Sequence, residues 1–466
     1  MKMYKTNENR ILWIILAVVL VADVMDMLDL TVTNIAAPSI SQTLSGGQML
    51  MQWLGAAYAL AMGVFLIIGG RLGDKYGQRK LFLIGIAGFT VSSLSCGLSL
   101  NPTMIIISRL AQGAFGAMMI PQGMAIMAEN FPRDMLTKAF AFFGPIISIS
   151  MVLGPIFAGF LINTDILHTG WRSIFLINVF LGVIGFIIAY QVLPKNNGDS
   201  SINLDFLGSG FLGGLMFFLL YGLIEGSNNG WGTISLFSIG MGALFLCLFA
   251  WRQTTATHPL IKPSLLKNRG FTAGLTLGLV YFAVVSGLNY IISIFLQLGL
   301  GASPFEASLE MSPLAIGVII SSIIVPKLIN KLGREVISIG LFTTAVGLFL
   351  FYVLVNQAVT ITLWSLFPSI FIIGFGMGFC IGTLFDFAIG DISPDEAGSA
   401  SGSLSAVQQL SGSIGIAAIT SVFFLSTKSE RFVYSMLLSL ILIIVAIAAC
   451  FAIVRFLPQK RGEAQH

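Results

Sequence analysis

The feature that most constrains this chain is its succession of long apolar runs, each able to cross a bilayer and separated from the next by a short polar loop. A span needs about 20 predominantly apolar residues, and inside lipid the backbone must satisfy itself, as a helix does. On that measure spans are expected near 11–33, 50–69, 80–99, 103–127, 137–162, 171–193, 205–225, 233–252, 270–298, 306–325, 335–355, 361–388, 399–426 and 430–456. The chain is 56% apolar and only 9% charged, where a soluble domain carries about 25% charged residues. The expected fold is therefore all-α and polytopic, with fourteen transmembrane helices. Ala36-Ala37-Pro38 faintly resembles a processing site, but the first run is too long for a cleaved signal and reads as the first span.

Basic residues orient the spans, because cytoplasmic loops carry the excess of Lys and Arg. With the amino terminus inside, 20 of the 24 basic residues fall in inner segments. Arg172, Lys428 and Arg431 fall outside, and Arg109 lies within a span. The inner loop 389–398 breaks the pattern, being acidic. Both termini are expected to be cytoplasmic, with the chain in the cell membrane. A net charge of +4 spread over short loops makes no nucleic-acid patch. Cys96, Cys247, Cys380 and Cys450 each sit in an apolar run without a CxxC pair, so neither disulfide, metal nor cofactor is expected.

An internal repeat divides the chain. Loop 70–78 reads Gly-Arg-Leu-Gly-Asp-Lys-Tyr-Gly-Gln, and 256 residues later 326–334 reads Pro-Lys-Leu-Ile-Asn-Lys-Leu-Gly-Arg. Ser150-x-x-x-Gly154 is echoed by Ser411-x-x-x-Gly415 at a shift of 261. Repeated halves are how secondary transporters alternate access to a site near the midplane. The halves are expected over 1–200 and 256–466, with an inserted helix pair in 201–255 that has no counterpart.

These segments resemble a known family. Gly70-Arg71-Leu72-Gly73-Asp74-Lys75-Tyr76-Gly77-Gln78-Arg79-Lys80 is similar to the signature loop of the major facilitator superfamily. Arg109-Leu110-Ala111-Gln112-Gly113 resembles its fourth-helix motif, and Ser150-x-x-x-Gly154-Pro155 resembles the fifth-helix motif of proton antiporters. Asp29-Leu30-Thr31-Val32-Thr33-Asn34, Trp171-Arg172-Ser173 through Asn178, and Tyr221-Gly222-Leu223-Ile224-Glu225-Gly226 resemble the fourteen-helix drug:proton antiporter family. The resemblance implies two six-helix halves, proton-coupled export, and a role for Arg109 in proton transfer. It also implies that Asp74 meets the start of the matching helix in the other half, near Gly398, as an inner latch.

Charge in a span costs about 2.5–3.5 kcal/mol even on insertion scales, so each such residue needs a reason. Asp23, Asp26 and Asp29 recur every three residues on one face of the first helix. Asp23 stands roughly 20 Å beyond Arg10, near mid-membrane, and the other two lie further out. The histidines (His168, His258 and His466) fall in loops or the tail, which leaves carboxyls as intramembrane proton carriers. The ranking is Asp29 and Asp26 equally, then Asp23. A proton and a cationic solute would compete for such a site, which is antiport in its simplest form. Arg109 is either a charge partner for one of these carboxyls or a side chain reaching back to the outer interface.

Asp26, Asn34, Tyr58, Gln112, Gln122, Gln297, Glu310 and Gln409 are the candidates for lining a cargo cavity. Glu306 suits a helix amino terminus, where negative charge is favoured. Asp74, Gly77, Arg79, Gly154, Pro155 and Asp386 are the candidates for gating: Gly77 for a tight turn, Gly154 and Pro155 for bending and close contact. The expected activity is proton-driven export of amphipathic, cationic small molecules by a monomer in the bilayer. The alternatives are export of one physiological solute, such as a siderophore, lipid or peptide, and a nonenzymatic sensor built on a transporter fold. An enzyme would need clustered His, Ser or carboxylates at one membrane face, and the sequence offers none.

Overall fold

The structure, a computed structural model, describes residues 2–165, 168–202, 204–357, 362–390, 392, 394–426 and 432–459. Of these, 2–9, 133–134, 136–138, 140–145, 147–148, 151–152, 330, 357, 363, 394–395, 397–398 and 425–426 are described in backbone alone. The helices are α1 (Lys2–Thr43), α2 (Gly47–Tyr76), α3 (Gln78–Gly97), α4 (Pro102–Asn130), α5 (Arg133–Thr164), α6 (Ser173–Val192) and α7 (Phe206–Asn229). Then follow α8 (Thr233–Thr255), α9 (Arg269–Ile294), α10 (Pro304–Leu332), α11 (Glu335–Gln357), α12 (Phe367–Ile389), α13 (Pro394–Ser426) and α14 (Phe432–Val454). Among the described residues, 13 helices are long and apolar enough to cross a membrane, and α5 adds the shorter apolar stretch Leu153–Thr164.

Local chemistry sets several ends. Asn101 accepts from the Met104 N–H at 2.8 Å, with Pro102 at the first helical position, and so opens α4. Ser303 and Glu306 form a reciprocal capping box around Pro304 at the start of α10, which satisfies two otherwise orphaned backbone N–H groups. That cap is where the structure puts Glu306. α2 and α10 end at Gly77 (φ 94°) and Gly333 (φ 55°), glycines 256 residues apart in a region closed to most side chains. The two share a positive φ and differ in ψ, 126° against −135°.

Several helices outrun the expected spans. α1 continues to Thr43 instead of stopping near 33, so Asn34 to Pro38 are helical, with Ile35, Ala36 and Ala37 buried. The midpoint of 10–43 therefore falls near Asp26, not Asp23. Likewise 70–76 and 326–332, expected as loops, are the last turns of α2 and α10. Charge at a helix end that projects beyond the hydrocarbon costs nothing in lipid, so hydropathy stops short of the helix.

Packing repeats in the two halves. α2 packs on α4 and α3 on α4, as α10 packs on α12 and α11 on α12. α1 packs on α5 as α9 packs on α13, with Gly154 set against Leu28 and Thr31, and Gly415 against the backbone of Ala283. The halves meet along two seams, α2 against α13 and α5 against α10. Large apolar side chains such as Val91, Phe180, Phe237, Phe349 and Val445 face outward, as lipid contact requires.

The main apolar core crosses between halves at the outer level. It joins Val32, Ile35 and Ile40 of α1 and Leu54 of α2 to Leu288, Tyr290 and Ile294 of α9 and Ile416 of α13. The inner part of the first half keeps a core largely of its own, around Leu16, Phe82 and Met127. Polar contacts between halves also lie from mid-membrane outward. The Tyr290 hydroxyl donates to the Met51 carbonyl, Ser293 to the Asn34 carbonyl at 3.0 Å, and Gln297 to the Ile35 carbonyl at 3.0 Å. The ends expected to face outward are therefore closed. The inserted pair α7–α8 sits against α2 and α13 chiefly through α7.

Candidate functional site

Three buried carboxyls descend one face of α1 at steps of roughly 4.5 Å along the axis. Asp29, the outermost, is saturated. One oxygen forms a buried ion pair with the Arg109 Nη1 of α4; the other accepts from Gln112 Nε2 at 2.7 Å and from Asn178 Nδ2 of α6 at 3.1 Å. Arg109 is 1% exposed, so it does not reach back to the interface. Its Nη1 also donates to Gln112 Oε1 at 2.8 Å, and Gln112 in turn donates to Ser93 Oγ of α3 at 2.7 Å. The guanidinium lies 4.5 Å from the Tyr58 ring centre and 5.9 Å from that of Phe175, a desolvated cation–π geometry.

One turn inward, Asp26 accepts from the Tyr58 hydroxyl of α2. Tyr58 therefore connects two levels: its face carries the arginine bound to Asp29, and its hydroxyl holds Asp26. Glycines make the room. A methyl group at Gly116 would lie 2.9 Å from Tyr58 Oη and 3.3 Å from Asp26 Oδ1, and one at Gly113 would lie 2.3 Å from the Tyr58 carbonyl. Asp23, the innermost, is buried with Oδ2 lacking a hydrogen-bond partner. This is a ladder of three acids facing one fixed cation, in which only the outermost acid is fully paired.

The other candidates lie elsewhere. Gln122 donates to the Gly69 carbonyl at 2.7 Å and fastens α4 to α2. Asn34 and Gln297 belong to the outer seam. Gln409 approaches Met62 Sδ at 3.2 Å across the halves. Glu310, on α10 in the second half, is 2% exposed with one carboxyl oxygen unpartnered, and is the buried acid of that half among the described residues. Tyr58 and Gln112, expected to line a cargo cavity, are part of the acid cluster instead.

At the inner end, the Asp74 carbonyl accepts from the Asp199 N–H at 2.8 Å. Arg79 donates to the Tyr190 carbonyl at 2.6 Å, and its N–H to Asn196 Oδ1 at 3.2 Å. These residues thus grip the chain leaving α6. Gly398, near which the Asp74 contact is expected, is described in backbone alone. Exposed Asp199 is itself held below the usual carboxylate range by the hydroxyl and N–H of Ser201. Gly154, with Pro155 beside it, presses α5 onto α1. Asp386 borders a crevice of about 400 Å³ between α10 and α12, with Ser322, Pro326 and Gly382 among its walls.

Sequence reasoning missed Ser93 and Gln52 entirely and gave Asn178 no role. Asn178 ends the Trp171 motif and could have been found there. Ser93 and Gln52 are single polar residues in apolar runs and carry no such signal.

A family model described as Major Facilitator Superfamily matches residues 19–416. The chain is 38% identical over 418 residues to a probable actinorhodin transporter of Streptomyces coelicolor, covering 88% of this chain and 72% of that one. It is 31% identical over 414 residues to a tetracenomycin C resistance and export protein of Streptomyces glaucescens, covering 87% and 75%. Among solved structures, a bacterial homolog of the human lysosomal transporter Spinster, inward-facing and occupied, superposes with a TM-score of 0.68 at 15% identity, covering 95% of this chain and 96% of that one. At that identity the likeness is one of fold.

Proposed function

Because the chain belongs to the major facilitator superfamily it is a multi-pass membrane transporter, and we propose that it exports amphipathic, cationic small molecules in exchange for protons. One observation carries this reading: Asp29 is ion-paired to Arg109 in a buried node, with Asp26 and Asp23 below it on the same helix face. A proton reaching Asp29 from outside removes the charge that holds Arg109. The guanidinium cannot lose its own proton, so it turns to its nearest other acid, Asp26, across the face of Tyr58. Loading one level thereby changes the next. From the inner side, a cationic solute competes with protons for the same acids, and each ligand favours a different orientation of the halves. Glu310 supplies a second negative group, on the opposite half, for a cation held between them.

A narrower reading has support too. The two relatives described above are named for single compounds, actinorhodin and tetracenomycin C, although others are named for multidrug resistance. On that reading the cargo is one solute rather than a range of them.

The test is transport in proteoliposomes with an imposed pH gradient, using a panel of cationic and neutral dyes. The expected result is gradient-driven movement of cations that Asp29→Asn abolishes at unchanged protein level. Unchanged transport in Asp23→Asn, Asp26→Asn and Asp29→Asn alike would remove the proton role. Equal movement of neutral and cationic dyes would remove the charge preference.

A further inference from the structure

The inserted pair is tied into the seam between the halves through one side chain. Gln52, on the outer part of α2, is fully buried. Its Nε2 lies 3.1 Å from Thr420 Oγ1 and 3.4 Å from Ser421 Oγ of α13, and 3.2 Å from Ser227 Oγ of α7. Its Oε1 accepts from Asn228 Nδ2 at 2.6 Å and from Ser227 Oγ at 3.3 Å. Ser421 completes the circle by donating to the Leu223 carbonyl of α7 at 3.1 Å. A buried amide has four hydrogen-bonding positions to satisfy, and Gln52 spends them on both neighbouring helices at one level.

Among the described residues, the opposite seam has nothing of the kind. There Ser308, 256 residues after Gln52, bonds only within its own helix, to the Phe305 carbonyl at 2.6 Å. Gly159 of α5 closes directly on it, with room for no side chain. One seam is a bare two-helix contact, while the other is a polar fan completed by a third helix.

The inner end of the pair is fastened to the first half. The chain entering α7 is held by Asp74 and Arg79 through Asp199 and Asn196, and the chain leaving α8 is held by Arg71 through the Pro259 carbonyl at 3.3 Å. Below the fan, α7 packs between α2 and α13, with Leu212, Met216 and Leu220 in one cluster with Ala57, Leu60 and Val64 of α2 and Leu410 and Ala417 of α13, so the fastening that distinguishes the first half is the one at the inner end.

We propose that α7 and α8 move with the first half as one body, and that Gln52 is a positioning residue for alternating access whose bonds to Thr420 and Ser421 hold the outer seam shut. Opening to the outside breaks those bonds and the one from Ser421 to Leu223, and keeps those from Gln52 to Ser227 and Asn228. This uses the family's rocking of two halves and is independent of what is carried or of any proton.

The test measures distances by pulsed electron resonance between spin labels on the full-length protein in lipid nanodiscs, in a Cys247→Ser background that removes the exposed native thiol. Labels go at exposed outer positions: Leu100 on the first half, Trp364 on the second and Trp231 on the inserted pair. Gln52→Met and Thr420→Val should each raise the ratio of long to short Leu100–Trp364 distances about three- to tenfold, as loss of one or two buried hydrogen bonds predicts. Thr420→Ser, which keeps the hydroxyl, should leave the ratio as in wild type. Leu100–Trp231 should stay at one distance throughout. An unchanged Leu100–Trp364 distribution in Thr420→Val protein with wild-type melting overturns the seam role. A Leu100–Trp231 distance that lengthens together with Leu100–Trp364 overturns the one-body motion.

Discussion

Removing either member of the Asp29–Arg109 pair should destabilise the protein, but unequally. Every group facing the Asp29 carboxylate is a donor: Arg109 Nη1, Gln112 Nε2 and Asn178 Nδ2. Asp29→Asn puts an NH₂ where an acceptor is needed and strands a guanidinium that has no neutral form. Breaking a buried pair in this way costs about 3–5 kcal/mol. We expect about 3 kcal/mol, the low end, because Asp26 is close enough across Tyr58 to offset part of the loss. Arg109→Met leaves a carboxylate that keeps two amide donors and can take up a proton, as buried unpaired acids do. Its cost should be smaller and should shrink as pH falls, whereas that of Asp29→Asn should hold across pH. The double variant should recover most of the loss, giving a coupling energy of roughly 2 kcal/mol. Equilibrium unfolding in bicelles for all four proteins, at two pH values, measures this cycle. Additivity within about 0.5 kcal/mol, the behaviour of independent sites, would refute the argument that the two residues form one electrostatic unit.

Further outcomes follow from the same geometry. Gly116→Ala should cost about 1–3 kcal/mol, since its methyl would lie 2.9 Å from Tyr58 Oη and force apart the bond to Asp26; thermal melting checks this. Tyr58→Phe keeps the ring beneath Arg109 and leaves Asp26 short of a donor, for a loss of about 1–3 kcal/mol; melting together with pH-gradient transport should show coupling falling further than stability. Gly77→Ala, at φ 94°, should cost roughly 1–2 kcal/mol by the left-handed penalty and expose the chain at Asn196 to protease sooner than in wild type. Asp205→Ala removes both the cap on the Gly208 N–H at 3.0 Å and the bond to Arg252 at 2.9 Å; a loss of about 1 kcal/mol is expected, read as earlier melting without altered transport.

The architecture was legible because lipid imposes it. Apolar runs, the asymmetry of Lys and Arg, and the repeated Gly77 and Gly333 loops each record a constraint that acts on sequence directly. Helix ends were less legible. Residues 34–43 of α1 and 326–332 of α10 carry polar groups and prolines that hydropathy reads as loop, yet both continue as helix: the first because neighbouring helices cover Ile35, Ala36, Ala37 and Ile40, the second because its exposed charges project beyond the hydrocarbon. The acid ladder was visible in the three-residue spacing of Asp23, Asp26 and Asp29. Its partners were only partly visible. Arg109 stood out as a charge in a span, but Tyr58, Ser93 and Asn178 come from three other helices, and their convergence depends on crossing geometry that no local pattern encodes. Gln52 was invisible for the same reason: its partners are 175 and 368 residues away.

The two halves share a frame but not a chemistry. Gly154 against Leu28 and Thr31 matches Gly415 against Ala283 and Gly287, which fixes the register between α1 and α9 at a shift near 256. In that register Asp23, Asp26 and Asp29 correspond to Leu279, Phe282 and Val285, and Tyr58 to Leu314. At these four positions the second half has kept the packing and holds apolar side chains where the first holds the three acids and Tyr58, while its own buried acid, Glu310, stands at the register position of Leu54. Two identical charged halves would each titrate and would compete for the same driving ion. On the proposed proton coupling, the ion-paired acid ladder belongs to the first half alone, and among the described residues the second half holds the single buried acid Glu310, so that protonation at Asp29 alters an interaction the second half does not repeat. Packed surfaces exchange between discrete arrangements and do not deform continuously. A local change in charge at Asp29 can then select between whole orientations of the bundle, provided the outer seam opens as one event.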